Sequence, residues 1–270
     1  MDVHPLPPRR DASGPLAGVG VLVTRPVRQA AGLVRRLAAL GATPIAWPAI
    51  VILPPADPAP LARVRSALDR YDVAVFVSAN AVEFGVGDPA RWPASLTPFA
   101  PGPGTAEALA AVGIGNARMP ATTYDSEGLL ALPELQQVEG KRVIVFRGDG
   151  GRETLGDALR ARGATVDYVA CYRRAAPSTS SDGLVAALRG GRVHAITITS
   201  SEGLDNLLAA LGADARATIA RVPLFVPHPR IAAHARERGL AAVATPGSDA
   251  GLIAGLLEWF AAHPLTKATS

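Results

Sequence analysis

The sequence is written twice. Val21-Leu22-Val23-Thr24-Arg25 returns 122 positions later as Val143-Ile144-Val145-Phe146-Arg147. The same spacing carries Leu33 onto Leu155, Leu37 onto Leu159, and Leu40-Gly41-Ala42-Thr43 onto Arg162-Gly163-Ala164-Thr165. It then carries Phe76-Val77-Ser78-Ala79-Asn80 onto Ile198-Thr199-Ser200-Ser201-Glu202 without a gap. A third block, Phe99 to Ala106, returns as Phe225 to Ala232 after a small insertion, and Gly113 then meets Gly239. One such match is within reach of chance, but three in one order require an internal duplication.

Each copy alternates short apolar runs with helical patterns. The runs at 19–24, 44–52, 73–77, 97–100 and 116–119 read as strands, as do 142–146, 165–173, 194–198, 222–226 and 241–244. Continuous apolar runs suit parallel strands buried on both faces. Leu33, Val34, Leu37 and Leu40 share one face of a helix, Leu155 and Leu159 repeat it, and Gly41 and Gly163 are placed to stop these helices. The pattern predicts two α/β layers with parallel sheets of about five strands each. The proline-ended apolar stretches from Trp47 to Pro55 and from Val169 to Pro177 read as crossings between the units, so one domain is expected to be discontinuous.

Composition narrows the chemistry. With 270 residues, 49% of them apolar, there is material for two cores. The net charge of +4 is spread along the chain, which does not call for nucleic acid and suits an anionic small molecule equally well. The single cysteine, Cys171, excludes an intramolecular disulfide and reads as a packed small residue. No apolar run approaches the ~20 residues of a membrane helix. The proline-rich residues 1–15 lack the apolar core of a signal peptide and read as a disordered leader on a cytoplasmic protein. The five histidines lack metal-ligand spacing, so no metal is expected. Gly102-Pro103-Gly104 lacks the third glycine of a dinucleotide fingerprint, and Gly18-Val19-Gly20 precedes its strand. There is no nucleophile elbow and no phosphate-loop lysine, and no cofactor is expected.

In open parallel sheets ligands bind where strands end and helices begin. Those places hold Thr24-Arg25-Pro26, Ser78-Ala79-Asn80, Pro101 to Thr105 with Gly104, Arg147 to Arg152, Thr199-Ser200-Ser201, and Pro227-His228-Pro229-Arg230. Helix N-termini there offer free N–H groups to carboxylates, and Arg25, Arg147, Arg152 and Arg230 would add charge-assisted bonds. Ser78, Asn80, Ser200 and Ser201 are equally good helix caps, and Gly102 and Gly104 equally good turn residues.

The ordered set of motifs resembles the uroporphyrinogen-III synthase family. It comprises Val21 to Pro26, Phe76 to Val82, Gly102 to Leu109, Ser126 to Leu130, Val145 to Gly148, Gly151 to Leu155, Tyr172 to Arg174, Ile198 to Ser201 and His228 to Ala232. Together these span roughly residues 18 to 260. Val77 stands where the family often has threonine, and Thr197-Ile198 where it often has a phenylalanine after a valine. The resemblance implies two flavodoxin-like domains joined by a two-stranded linker. Domain one would hold 16–48 plus 175–263 and domain two 53–170, with linkers near 48–53 and 170–175 and the substrate in the cleft. It implies a cofactor-free lyase that closes hydroxymethylbilane, a polycarboxylate tetrapyrrole, to uroporphyrinogen III. Ring D would be inverted through a spiro intermediate, and water lost. Tyr172 matches the tyrosine proposed as proton donor; packing at the linker is its other reading. Arg25, Ser78, Asn80, Gly104, Thr105, Arg147, Arg152, Ser200, Ser201, His228 and Arg230 are the expected substrate contacts. Hydroxymethylbilane synthase is the candidate upstream partner; no nucleic acid or membrane partner is expected, and a monomer is the default. The alternatives are a non-catalytic tetrapyrrole-binding regulatory protein and a periplasmic-type solute-binding protein. The first is disfavoured because no length remains after the 252–262 helix for a DNA-binding module, the second because no export signal is seen.

Overall fold

The computed structural model describes residues 13–151 and 153–265. The chain opens with β1 (Gly20–Val23), α1 (Val27–Ala39), β2 (Thr43–Ala46) and β3 (Val51–Leu53). There follow α2 (Ala59–Arg65), β4 (Val73–Phe76), α3 (Ala79–Gly85), β5 (Thr97–Phe99), α4 (Pro103–Ala111), α5 (Ser126–Leu130), α6 (Pro133–Gln136), β6 (Arg142–Gly148), α7 (Thr154–Ala161) and β7 (Thr165–Ala175). The last third holds α8 (Asp182–Arg189), β8 (Ala195–Thr197), α9 (Ser201–Ala210), α10 (Ala213–Ile219), β9 (Leu224–Val226), α11 (Pro229–Arg236), β10 (Ala242–Ala244) and α12 (Asp249–Ala262). None of the described helices is long and apolar enough to cross a membrane.

Two compact units result. Unit 1 takes the chain up to Val51 and again from Ala175, and unit 2 is Ile52–Arg174. The sheet of unit 1 runs β10-β9-β8-β1-β2, with every neighbouring pair parallel. Read from its own first strand this is the 2-1-3-4-5 order of a flavodoxin-like sheet. The sheet of unit 2 runs β3-β7-β6-β4-β5, and β7, β6, β4 and β5 are mutually parallel. By the repeat, β6 matches β1, β7 matches β2, β4 matches β8 and β5 matches β9. Four strands of unit 2 therefore follow the same spatial path with their chain order permuted, while the fifth strand lies on opposite edges, β10 beside β9 in unit 1 and β3 beside β7 in unit 2.

Both faces of each sheet are buried, which is why the strands read as unbroken apolar runs. In unit 1 Leu22, Ile196 and Leu224 face α9 and α11, while Val21, Val23 and Phe225 face α1 and α12. In unit 2 Ala74, Phe76, Ile144 and Phe146 face α3 and α4, while Val73, Val75, Val143 and Val145 face α5 and α7. The repeated leucines do the same work twice: Leu33 and Leu37 seat α1, and Leu155 and Leu159 seat α7. Burial of each contributes roughly 1.5–3 kcal/mol. The glycines after these helices take the left-handed conformation, φ +87° at Gly41 and +84° at Gly163. Each lets the next N–H, of Ala42 or Ala164, turn back onto the carbonyl of Leu37 or Leu159 at 3.1 Å.

Two expectations are corrected. The run 44–52 breaks into β2 and β3, because Pro48 cannot donate to a ladder and residues 47–50 leave the strand conformation. The run 116–119 forms only a single parallel bridge, Phe99 to Arg118, and the fifth strand of that sheet is β3. At the end of the expected leader, Gly14 and Pro15 belong to a turn closed by Ala17 N–H on Gly14 O at 3.0 Å, and Leu16 N–H bonds Leu40 O at 3.0 Å; residues 1–12 lie outside the described residues.

Candidate functional site

In this topology a crevice opens where neighbouring strands send their helices to opposite faces. In unit 2 this occurs between β6, which feeds α7 on one face, and β4, which feeds α3 on the other. In unit 1 it occurs between β1, leading to α1, and β8, leading to α9. Residues at these strand ends are brought together by the fold rather than by the sequence.

At the β4 end, Ser78 caps α3. Its Oγ accepts the N–H of Ala81 at 3.2 Å and lies 3.2 Å from the hydroxyl of Tyr172. Tyr172 comes from β7 and is 3% exposed, whereas Ser78 is half-buried and Val77 beside it is exposed. The phenol ring has Phe84 on α3 as a neighbour, with ring centroids 6.4 Å apart, and fills the space a Cβ on Gly148, at the end of β6, would need. Cys171 is fully buried and its thiol contacts Arg147 O at 3.1 Å. Burial pushes that thiol up to about 12, so the reading of Cys171 as a packed residue agrees with its surroundings.

Arg147 occupies the opposite face of β6. Its guanidinium stacks on Tyr168, 4.1 Å from the ring centroid, and Nη2 reaches Glu153 at 3.4 Å. The side chain is 18% exposed, and Nη1 is buried with no hydrogen-bond partner among the described residues. Tyr168 is itself fixed, accepting Gly156 N–H at 2.9 Å. A buried unmet donor costs about 1–3 kcal/mol, so the arrangement is poised for an acceptor.

The remaining helix ends of unit 2 are simpler. Gly102 starts α4 with an extended backbone; a Cβ there would meet Tyr124 Cβ at 3.0 Å, so close approach rather than turn geometry excludes a side chain. Gly104 is exposed, with open space where a Cβ would stand, and Thr105 is buried in the first turn.

In unit 1 Thr24 Oγ1 donates to Thr197 O at 2.8 Å, and Thr197 Oγ1 donates to Leu22 O at 3.2 Å, tying the two strands that flank the crevice. Arg25 forms an ion pair with Asp249 at the start of α12. Ser200 caps α9, accepting Gly203 N–H at 3.0 Å, and His228 caps α11, its Nδ1 accepting Arg230 N–H at 3.0 Å. Arg230 is exposed.

The family model described as uroporphyrinogen-III synthase HemD matches residues 31–253. The chain is 37% identical over 228 residues to the uroporphyrinogen-III synthase of Salmonella typhimurium, covering 82% of this chain and 92% of that one. It is 36% identical, with the same coverage, to that of Escherichia coli.

The chain belongs to the uroporphyrinogen-III synthase family.

Solved structures show the same fold. A mutant uroporphyrinogen III synthase of Thermus thermophilus aligns with a TM-score of 0.56 at 19% identity, over 90% of this chain and 99% of that one. The Helicobacter pylori protein aligns with a TM-score of 0.59 at 11% identity, over 89% and 99%. Within this synthase fold, Ser78, an expected substrate contact, and Tyr172, the expected proton donor, lie 3.2 Å apart, and Arg147, next to the end of the strand between theirs, is on the other face. Of the four polar residues read as possible caps, Ser78 and Ser200 are caps; Asn80 and Ser201 lie inside their helices. Arg152 lies outside the described residues. Sequence reasoning missed Asp249, Tyr168 and Glu153, the partners of the two arginines. The repeat gave one available signal, since it aligns Arg25 with Arg147 and so asked what each pairs with.

Proposed function

We propose that this synthase family member closes hydroxymethylbilane to uroporphyrinogen III with inversion of ring D. The observation that carries the reading is the hydroxyl pair of Ser78 and Tyr172 at the β4 and β7 ends, 3.2 Å apart.

The substrate's terminal hydroxyl departs as water and leaves an azafulvene cation. The cation attacks the substituted position of the far ring, and the spiro intermediate fragments and recombines with that ring inverted. Such a substrate also closes unaided, without inversion. The protein's task is to hold one folded conformation and keep water from the cation. The helix starts suit the carboxylates, with Gly104 and Thr105 in the first turn of α4, Ser200 and Ser201 at the start of α9, and His228 and the Arg230 side chain at the start of α11 as the proposed contacts. Asn80, Arg25 and Arg152 complete the proposed set. Turning Arg147 outward would exchange a 3.4 Å contact and a buried unmet donor for a two-bond carboxylate pair. With the Tyr172 phenol donating into Ser78 Oγ, the serine proton is free to face the departing hydroxyl, and the pair acts as one general acid.

The test supplies freshly made hydroxymethylbilane, oxidises the products and separates the isomers. A dominant type III product is expected. Type I product alone, at the spontaneous rate, would overturn the proposal.

A further inference from the structure

Tyr172 is on the wrong face of its own strand for a regular β-ladder. Along β7, Val166 and Tyr168 pack against the α5 and α7 side, and Val169 and Cys171 pack against the α3 side. Strict alternation would send Tyr172 back with Tyr168. It packs instead with Cys171 against the α3 side. The pairing shows why: Phe146 pairs with Val169 and Arg147 with Ala170, but Gly148 pairs with Tyr172. Cys171 is the extra residue of a bulge, and a bulge of one residue re-aims every side chain after it. The bulge is held from both sides, by the Cys171 thiol on Arg147 O at 3.1 Å and by Asp149 N–H on Tyr172 O at 2.9 Å.

The re-aimed ring then meets the end of β6. A Cβ on Gly148 would stand 2.9 Å from Tyr172 Cε2 and Cζ and 3.3 Å from its hydroxyl oxygen. The Gly148 backbone does not take a positive φ, so no turn requires glycine there; the phenol does. The ring thus has Phe84 near it and fills the space a Cβ on Gly148 would need, with the hydroxyl on Ser78.

We infer that Gly148 is a positioning residue for the reaction: its missing side chain, with the Cys171 bulge, places the Tyr172 hydroxyl on Ser78. The inference rests on the reading of Ser78 and Tyr172 as the acid pair.

The test is a double-mutant cycle on the full chain, with Gly148→Ala, Tyr172→Phe and the two combined. Each is assayed for kcat and KM, and each carries 3-fluorotyrosine for fluorine NMR. Gly148→Ala is expected to lower kcat about 10- to 100-fold, the scale of a small misplacement of a reacting group, with KM nearly unchanged. The resonance that Tyr172→Phe removes should shift in Gly148→Ala. The combined variant should be no slower than Tyr172→Phe alone, because with the hydroxyl gone its placement is immaterial. Losses that multiply, or an unmoved resonance, would overturn the inference. Wild-type kcat in Tyr172→Phe would instead remove the acid-pair reading. Should Gly148→Ala not fold, Phe84→Leu loosens the ring at its other neighbour. A kcat loss that disappears in the Tyr172→Phe background supports positioning, and wild-type kcat in Phe84→Leu overturns it.

Discussion

The two halves of the duplication solve one structural problem and part company at its edge. Leu33 and Leu37 match Leu155 and Leu159, Gly41 matches Gly163, and Ser200 caps its helix as Ser78 does. At the strand ends the pairs diverge. Arg25 is paired with Asp249, whereas its counterpart Arg147 has only a 3.4 Å contact to the exposed Glu153, stacks on Tyr168 and keeps one nitrogen unmet among the described residues. Ile50 stands where the other half has Tyr172, and a Cβ on Gly203 would meet it at 3.7 Å. The first N–H of the central strand is bound at Gly20 by the ring of His194 at 2.8 Å and at Arg142 by the carboxylate of Asp72 at 2.8 Å. The positions that hold helix to sheet are fixed by packing in both copies. Those beyond the last ladder bond carry little of that load and are free to take up chemistry.

Replacing the two arginines tests that contrast most strongly. Arg147→Met should raise KM roughly 10- to 100-fold, the equivalent of one or two charge-assisted bonds, with a smaller change in kcat. Arg25→Met should raise KM less and cost stability, because Asp249 is left without its partner. Equal effects on KM in steady-state assays would erase the distinction between the halves.

The serines give a finer comparison. Ser78→Ala and Ser200→Ala should each lower stability by about 1 kcal/mol through the lost cap, read by urea denaturation. Only Ser78→Ala should also lower kcat, by roughly 100-fold, at least as much as misplacing Tyr172 does, because the serine carries the proton of the acid pair. Matching kcat values in the two variants would separate Tyr172 from the chemistry.

The smallest effect concerns pH. Burial lowers the pKa of His194 below its usual 6.5, and its Nδ1 must be unprotonated to accept the Gly20 N–H. The unfolded chain therefore binds a proton that the folded one refuses. The contribution of this site is complete above pH 6.5 and is lost as pH falls from there through the lower folded value. Unit 2, with Asp72 at the matching place, has no histidine to protonate there. Amide hydrogen exchange between pH 7 and 5 should show protection at Gly20 falling before that at Arg142, and His194→Asn should flatten the difference. Equal loss at both amides would mean that His194 does not set the acid response of unit 1.

Much of the fold was legible because it depends on local periods. Leu33 to Leu40 announces a helix face wherever the chain goes, Gly41 and Gly163 stop their helices by backbone geometry alone, and Ser78 and Ser200 sit three residues before the N–H they bind. The failures were local as well. Run 44–52 contains Pro48, which the apolar count overrode, and run 116–119 had the right composition but gained only one bridge, at Arg118.

What the sequence determined by itself is the duplication, the buried faces of the strands, the helix ends and membership of the synthase family, all of which repeat or persist over a few residues. Only the tertiary structure decided where the functional groups point. The face of Tyr172 depends on one unpaired residue, Cys171, in a register set against β6. The pairing of Arg25 depends on Asp249, 224 residues away. The isolation of Arg147 Nη1 depends on how Tyr168 and Glu153 pack around it. The physical reason is that a period of two or of 3.6 is written in neighbouring residues, whereas register and pairing are settled only when distant strands meet.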